Sequence, residues 1–101
     1  MPQVSIVIPV YAEEDCARAL IDALDRFLAT FDREAEVILV DDGSGDRTPE
    51  ILQRLVHHRP GYRMVVLRRN SGQTAAMAAG LEIAQGEIIV FMDADLQNDP
   101  E

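Results

Sequence analysis

Asp93 and Asp95 stand one residue apart, with Ala94 between them, at the end of an apolar run from Glu87 to Met92. Hard divalent cations take oxygen ligands of this kind and bridge them to phosphate. Gln97, two residues further on, adds an amide oxygen that can complete the shell. The alternative for such a pair is a solvated acidic turn, and the buried run before it is what favours a site. Earlier in the chain, Asp41 and Asp42 follow the run Glu36 to Val40 and precede Gly43-Ser44-Gly45. Carboxylates only accept hydrogen bonds, and nucleosides offer N–H and O–H donors, so this pair suits a base or a ribose. It equally suits Asx-turns that fix the loop. Tyr11 follows the run Val4 to Val10 and offers a ring either for stacking on a base or for packing.

These residues need elements that carry them to one place. Four runs rich in Val and Ile occur in order, Val4 to Val10, Glu36 to Val40, Arg63 to Leu67 and Glu87 to Met92. Each is strand-length and nearly uninterrupted, the pattern of strands covered on both faces. Helical spacing fills the intervals. The first interval predicts a helix from Glu14 to Phe31 with Ala17, Leu20, Ile21, Leu24, Phe27 and Leu28 on one stripe. The second starts at Thr48-Pro49, with Thr48 as the capping side chain and Ile51, Leu52, Leu55 and Val56 inward. The third spans Thr74 to Ala84, ends at Gly86, and its small residues predict close packing on the sheet.

Alternating strands and helices imply right-handed crossovers. The expected fold class is therefore α/β, a Rossmann-like three-layer α/β/α sandwich with a mostly parallel sheet. In such sheets ligands sit beyond the carboxyl ends of the strands. Those positions here are Pro9, Tyr11, Glu13 and Glu14; Asp41 and Asp42; Arg68, Arg69, Asn70 and Gly72; Asp93, Asp95 and Gln97. Any one acid of the set also reads as a helix cap, but four sets on one rim argue for a shared site.

Charge and composition limit what that site can take. Asp and Glu number 18 against 9 Lys and Arg, for a net charge of −9, with no clustered basic patch, which excludes a nucleic-acid partner. A diphosphate entering a carboxylate-rich pocket needs a divalent cation between the charges. At 101 residues the chain holds one domain, spanning 1–101. Its one cysteine, Cys16, leaves no intrachain disulfide and no multi-cysteine zinc site, so a reducing, cytoplasmic setting is expected. No run approaches the ~20 apolar residues of a membrane span, and no signal peptide is seen.

In order, Val4-Ser5-Ile6-Val7-Ile8-Pro9-Val10-Tyr11, Val40-Asp41-Asp42-Gly43-Ser44, Asn70 to Ala76 and Met92-Asp93-Ala94-Asp95-Leu96-Gln97 resemble family 2 glycosyltransferases of the GT-A fold, above all the polyprenyl-phosphate (dolichol-phosphate) sugar transferases. The resemblance spans nearly all of the chain and corresponds to the donor-binding half of such an enzyme, with the chain stopping after the DAD motif. It implies that Pro9, Tyr11, Glu13, Val40 and Asp42 line a nucleoside pocket. It implies further that Asp93 and Ala94 touch ribose and diphosphate, and that Asp95 with Gln97 holds Mg²⁺ or Mn²⁺. The implied reaction is inverting transfer from a nucleoside-diphosphate sugar, with a polyprenyl phosphate as acceptor in the full-length enzyme, at the cytoplasmic face of a membrane. The family's acceptor-side segment and catalytic base would lie beyond Glu101, so no base is assigned and the chain alone is expected to be inactive. Two positions depart from the family's habit. Ala12 stands where Asn often follows the Tyr, which should alter loop anchoring, and Gly72-Gln73 stands where Gly-Lys is common, which removes a phosphate-side cation.

Other readings remain open on sequence. A receiver-like phospho-acceptor domain could use Asp41, Asp42 and Asp93, although a full strand and helix precede the acid pair and the chain has no Lys. A dinucleotide dehydrogenase domain would need a Gly-rich first turn, where this chain has Tyr11-Ala12-Glu13-Glu14. A non-catalytic fragment is the third reading. The last strand is expected to expose an apolar face and an unpaired edge, through which the chain could self-associate.

Overall fold

A computed structural model describes residues 2–94. Seven elements follow in chain order: β1 (Val4–Val10), α1 (Ala17–Thr30), β2 (Ala35–Asp41), α2 (Thr48–Val56), β3 (Tyr62–Val66), α3 (Gln73–Ile83) and β4 (Ile88–Phe91). The strands form one sheet in the order β3-β2-β1-β4, every neighbouring pair parallel. This is the Rossmann-like α/β sandwich expected from the alternation of strand and helix.

The period of two along each strand sorts the core into two layers. Ile6, Ile8 and Val10 of β1, with Val37 and Leu39 of β2, pack under Leu20, Ile21 and Leu24 of α1 and Leu52 of α2. Val7, Ile38 and Val40 face the other way and meet Ala76 of α3. Burying each large aliphatic side chain contributes about 1.5–3 kcal/mol, so the two central strands, covered on both faces, hold most of the stabilising area.

Small residues on α3 set its distance from the sheet. A Cβ added at Gly80 would lie 2.5 Å from Val7 Cγ1 and 3.1 Å from Val40 Cγ2. Ala76, one turn earlier, is fully buried. The close packing expected of this helix is therefore present.

Two starts differ from expectation. The first helix begins at Ala17 rather than Glu14, because residues 13–16 close a turn in which the Cys16 amide donates to the Glu13 carbonyl at 2.9 Å. Thr48 opens α2 but does not cap it. Its Oγ1 accepts the Glu13 amide at 2.8 Å and donates to Asp46 Oδ1 at 2.5 Å, while Asp46 Oδ1 takes the Thr48 amide at 2.9 Å. Asp46 thus satisfies the free amide, and its carboxyl is held below the usual range by the Thr48 hydroxyl and amide.

Near the amino ends of the strands a buried acid ties α3 to the sheet. Glu36, 6% exposed, accepts from Ser5 Oγ at 2.6 Å and from the Gln85 amide at 2.7 Å. Arg63 approaches it at 3.5 Å and donates to the Ile83 carbonyl at 3.0 and 2.8 Å. The side chain of Glu36 can stay buried because these donors replace its water. At the other side of the sheet β4 leaves Ile88 and Phe91 exposed, each at 44%, in keeping with the apolar edge foreseen for the last strand.

Candidate functional site

The carboxyl ends of all four strands open on one cleft of about 300 Å³. Pro9, Val10, Tyr11 and Glu13 enter from β1 and its following loop, Asp42 from β2, Asn70, Gly72 and Gln73 from the β3–α3 connection, and Asp93 and Ala94 from the end of β4. The sheet order explains the convergence. α1 and α2 lie on one face and α3 on the other, so the connection reverses between β1 and β4 and leaves a crevice there, the standard ligand position in open α/β sheets.

Of the residues singled out in the sequence, Pro9, Tyr11, Glu13, Asp42, Asp93 and Ala94 come together in this cleft. Tyr11 is half exposed at its lip. Val40 is elsewhere. It is fully buried between β2 and α3, beside Ala76 and Gly80, because the alternation that turns Asp41 toward α1 and α2 turns Val40 into the opposite core layer. Asp95 and Gln97 lie outside the described residues. Asn70, Gly72 and Gln73 line the cleft too. Sequence order put Asn70 and Gly72 on the rim without a ligand role, and their spacing held no signal that their loop folds back over β2. Arg68 and Arg69, also on that rim, are exposed and do not line the cleft.

The two central acids serve different loops. Asp42, 4% exposed, accepts the Ser71 amide on Oδ1 at 2.8 Å, and on Oδ2 it takes the Gly72 amide at 3.0 Å and Asn70 Nδ2 at 3.0 Å. Asp41, with no exposure, accepts Ser44 Oγ at 2.6 Å and the Ser44 amide at 3.0 Å. Ser44 Oγ in turn accepts the Ala12 amide at 2.8 Å. Asp41 therefore does fix the loop before α2, through bonds to the residue three further on rather than an Asx-turn, and it does not line the cleft. Ala12 itself sits at φ +53, a left-handed conformation unusual for any residue with a side chain.

The electrostatics of the cleft are one-sided. Among the described residues, Glu13, Asp42 and Asp93 line it, and no Lys or Arg does. A multiply charged phosphate ligand needs positive charge that these walls lack, and a divalent cation fits that deficit. Among the described residues no group of three or more His, Cys, Asp or Glu side chains could hold such an ion alone. His57 and His58, just past α2, contact each other edge to face with ring centroids 4.8 Å apart.

The receiver-like alternative needs its acids after the first strand of a 2-1-3 order, whereas here β2 lies between β1 and β3. The dehydrogenase alternative needs a helix starting at the tip of β1. Instead residues 11–16 separate β1 from α1.

Comparison with known proteins gives a consistent result. The sequence profile described as glycosyl transferase family 2 matches residues 5–101. The undecaprenyl-phosphate 4-deoxy-4-formamido-L-arabinose transferase of Edwardsiella ictaluri is 47% identical over 97% of this chain, and the match covers 30% of that enzyme. The dodecaprenyl-phosphate galacturonate synthase of Rhizobium johnstonii is 41% identical over 98% of this chain and 30% of its own length. Among solved structures, the mannosyltransferase PcManGT of Pyrobaculum calidifontis, in complex with GDP-Man and Mn²⁺, superposes with a TM-score of 0.80 at 29% identity, covering 93% of this chain and 28% of that one. The chain thus spans about 30% of the length of the curated relatives it matches.

Proposed function

The chain belongs to glycosyl transferase family 2, and from that premise we propose that its cleft holds the donor of a sugar transferase, a nucleoside-diphosphate sugar bound through Mg²⁺ or Mn²⁺. The acceptor in this reading is a polyprenyl phosphate at the cytoplasmic face of a membrane, the acceptor class named for both curated relatives. The solved mannosyltransferase with GDP-Man and Mn²⁺ supports the donor class and the need for a cation. Among the described residues no helix is long and apolar enough to cross a membrane.

Each wall has a share of the work. Pro9, Tyr11, Glu13 and Asp42 shape the nucleoside end, with the exposed Tyr11 ring offering a stacking face. Asp93 and Ala94, from the tip of β4, border the ribose and diphosphate. Asp95 and Gln97 are the residues assigned to the cation. When bound, the cation supplies positive charge to the diphosphate as it leaves and the sugar is transferred with inversion. Because Gln73 is neutral and the ionisable walls among the described residues are Tyr11, Glu13, Asp42 and Asp93, the described part of the cleft offers the leaving group no side-chain cation.

The observation that carries this reading is the convergence of four strand tips on a single acid-lined cleft with no basic side chain among the described residues. Calorimetric titration of UDP and GDP, each with and without Mn²⁺, tests it. Binding of at least one nucleotide is expected only with the metal, and Asp95→Asn should weaken it. Equal affinity with and without Mn²⁺ overturns the reading.

A further inference from the structure

Adjacent residues in a strand point to opposite faces, and the adjacent acids at the end of β2 use that geometry to reach two different loops. Asp41 turns toward α1 and α2, where both of its oxygens engage Ser44, and Ser44 Oγ passes the link on to the Ala12 amide at 2.8 Å. Ala12 lies between Tyr11 and Glu13, both on the wall of the cleft. Its φ of +53 is unfavourable for an alanine and persists only where something anchors it. Asp42 turns the other way and takes three donors from Asn70, Ser71 and Gly72 of the facing wall. Gly43, between these loops at φ +70, has no room for a Cβ, which would fall 2.1 Å from the Arg69 carbonyl carbon. The two walls are therefore joined to β2 at one point.

Resting on the donor-site reading, we propose that Asp41 and Asp42 form a two-sided brace: Asp41, acting through Ser44, positions the Tyr11–Glu13 wall, and Asp42 positions the Asn70–Gly72 wall. Both are positioning residues. Asp41 is fully buried and outside the cleft, so it reaches a ligand only through Ser44 and Ala12. Asp42 lines the cleft, yet three of its roughly four lone-pair sites are already engaged by the facing loop. Charge-assisted bonds to a carboxylate are about twice as strong as neutral ones, which suits a clamp that must hold strained backbone open for a ligand.

The brace is tested by amide hydrogen exchange on the free chain together with Mn²⁺-dependent UDP and GDP affinity. Ser44→Ala should speed exchange of the Ala12 amide, leave the Ser71 and Gly72 amides unchanged, and weaken nucleotide binding about fivefold, the loss of one ordinary hydrogen bond. Ser44→Thr, which keeps the hydroxyl, should restore both. Asp42→Asn should show the converse exchange pattern. Should Asp42→Asn fail to fold, Asn70→Ala, which leaves the carboxylate intact and removes one donor, should still loosen the Ser71 and Gly72 amides alone. Unchanged Ala12 exchange in Ser44→Ala, or loosening of both walls together by either variant, overturns the brace. Absence of nucleotide binding by the unsubstituted chain sinks the donor reading instead, and the exchange pattern still decides the brace.

Discussion

Ala12 combines a residue that avoids left-handed backbone with a loop that demands it, and the Ser44 hydroxyl is what keeps the arrangement in place. Asn tolerates this conformation better than alanine, because its short polar side chain bonds locally. The family resemblance had marked this position as one where Asn is frequent, and the backbone angle supplies the physical reason. Ala12→Asn should raise stability by about 0.5–1 kcal/mol. A higher urea midpoint at unchanged slope would show it, and an unchanged or lower midpoint would mean that the turn is not strained. Thr48 carries a related lesson. Its type suited a helix cap, but in the fold its hydroxyl serves the Glu13 amide of a loop 35 residues away.

At the scale of elements, α3 decides how close the second layer comes to the sheet. It is apolar nearly all round, with Leu81 half exposed, so its orientation is set by Ala76 and Gly80 fitting over Val7 and Val40 rather than by an amphipathic stripe. Replacing a mid-helix glycine by alanine ordinarily stabilises by about 1 kcal/mol. At Gly80 the added methyl would stand 2.5 Å from Val7 Cγ1, so the helix must shift. Gly80→Ala should therefore cost a net ~0–2 kcal/mol, the usual overpacking penalty of roughly 1–3 kcal/mol less that gain. Thermal unfolding checks the sign, and a stabilised variant would show that α3 has slack over the sheet.

Across the whole molecule, the acidic balance of 18 to 9 leaves few cations, and one of them holds three elements together. Arg59, just beyond α2, meets Asp25 of α1 at 3.0 Å and also donates to the Leu55 carbonyl, while Tyr62 of β3 donates to Asp25 Oδ1 at 2.7 Å. Burial pushes the Asp25 carboxyl up, but the hydrogen bonds from Arg59 and Tyr62 and the guanidinium charge outweigh it and hold it below the usual value. That stabilisation is complete above the unfolded carboxylate range, about pH 4, and fades as pH falls through the lower folded value. Tyr62 shifts the opposite way, raised by burial and by its bond to Asp25, so its share persists below about pH 10 and is lost as pH rises beyond. Asp25→Asn should accordingly be less stable at neutral pH yet lose less on going from about pH 5 to about pH 3. Urea midpoints across that range test it, and parallel curves for both proteins would rule the cluster out as a source of acid sensitivity.

The order of strands and helices was legible in the sequence, because burial on both faces demands unbroken Val and Ile runs, and short crossovers between parallel strands demand helices. That order alone also brings Tyr11, Asp42 and Asp93 to one rim, since every strand of a parallel sheet ends on the same side. What only the tertiary structure decided is the partner of each group. Asp41 meets Ser44 and through it Ala12, Asp42 meets a loop some thirty residues away, Glu36 meets Ser5 and Gln85, and Val40 turns into the core. Periodicity reports which face a residue takes on its own strand. Hydrogen-bond partners depend on how distant loops are laid against one another, and that follows from the packing of the completed sheet.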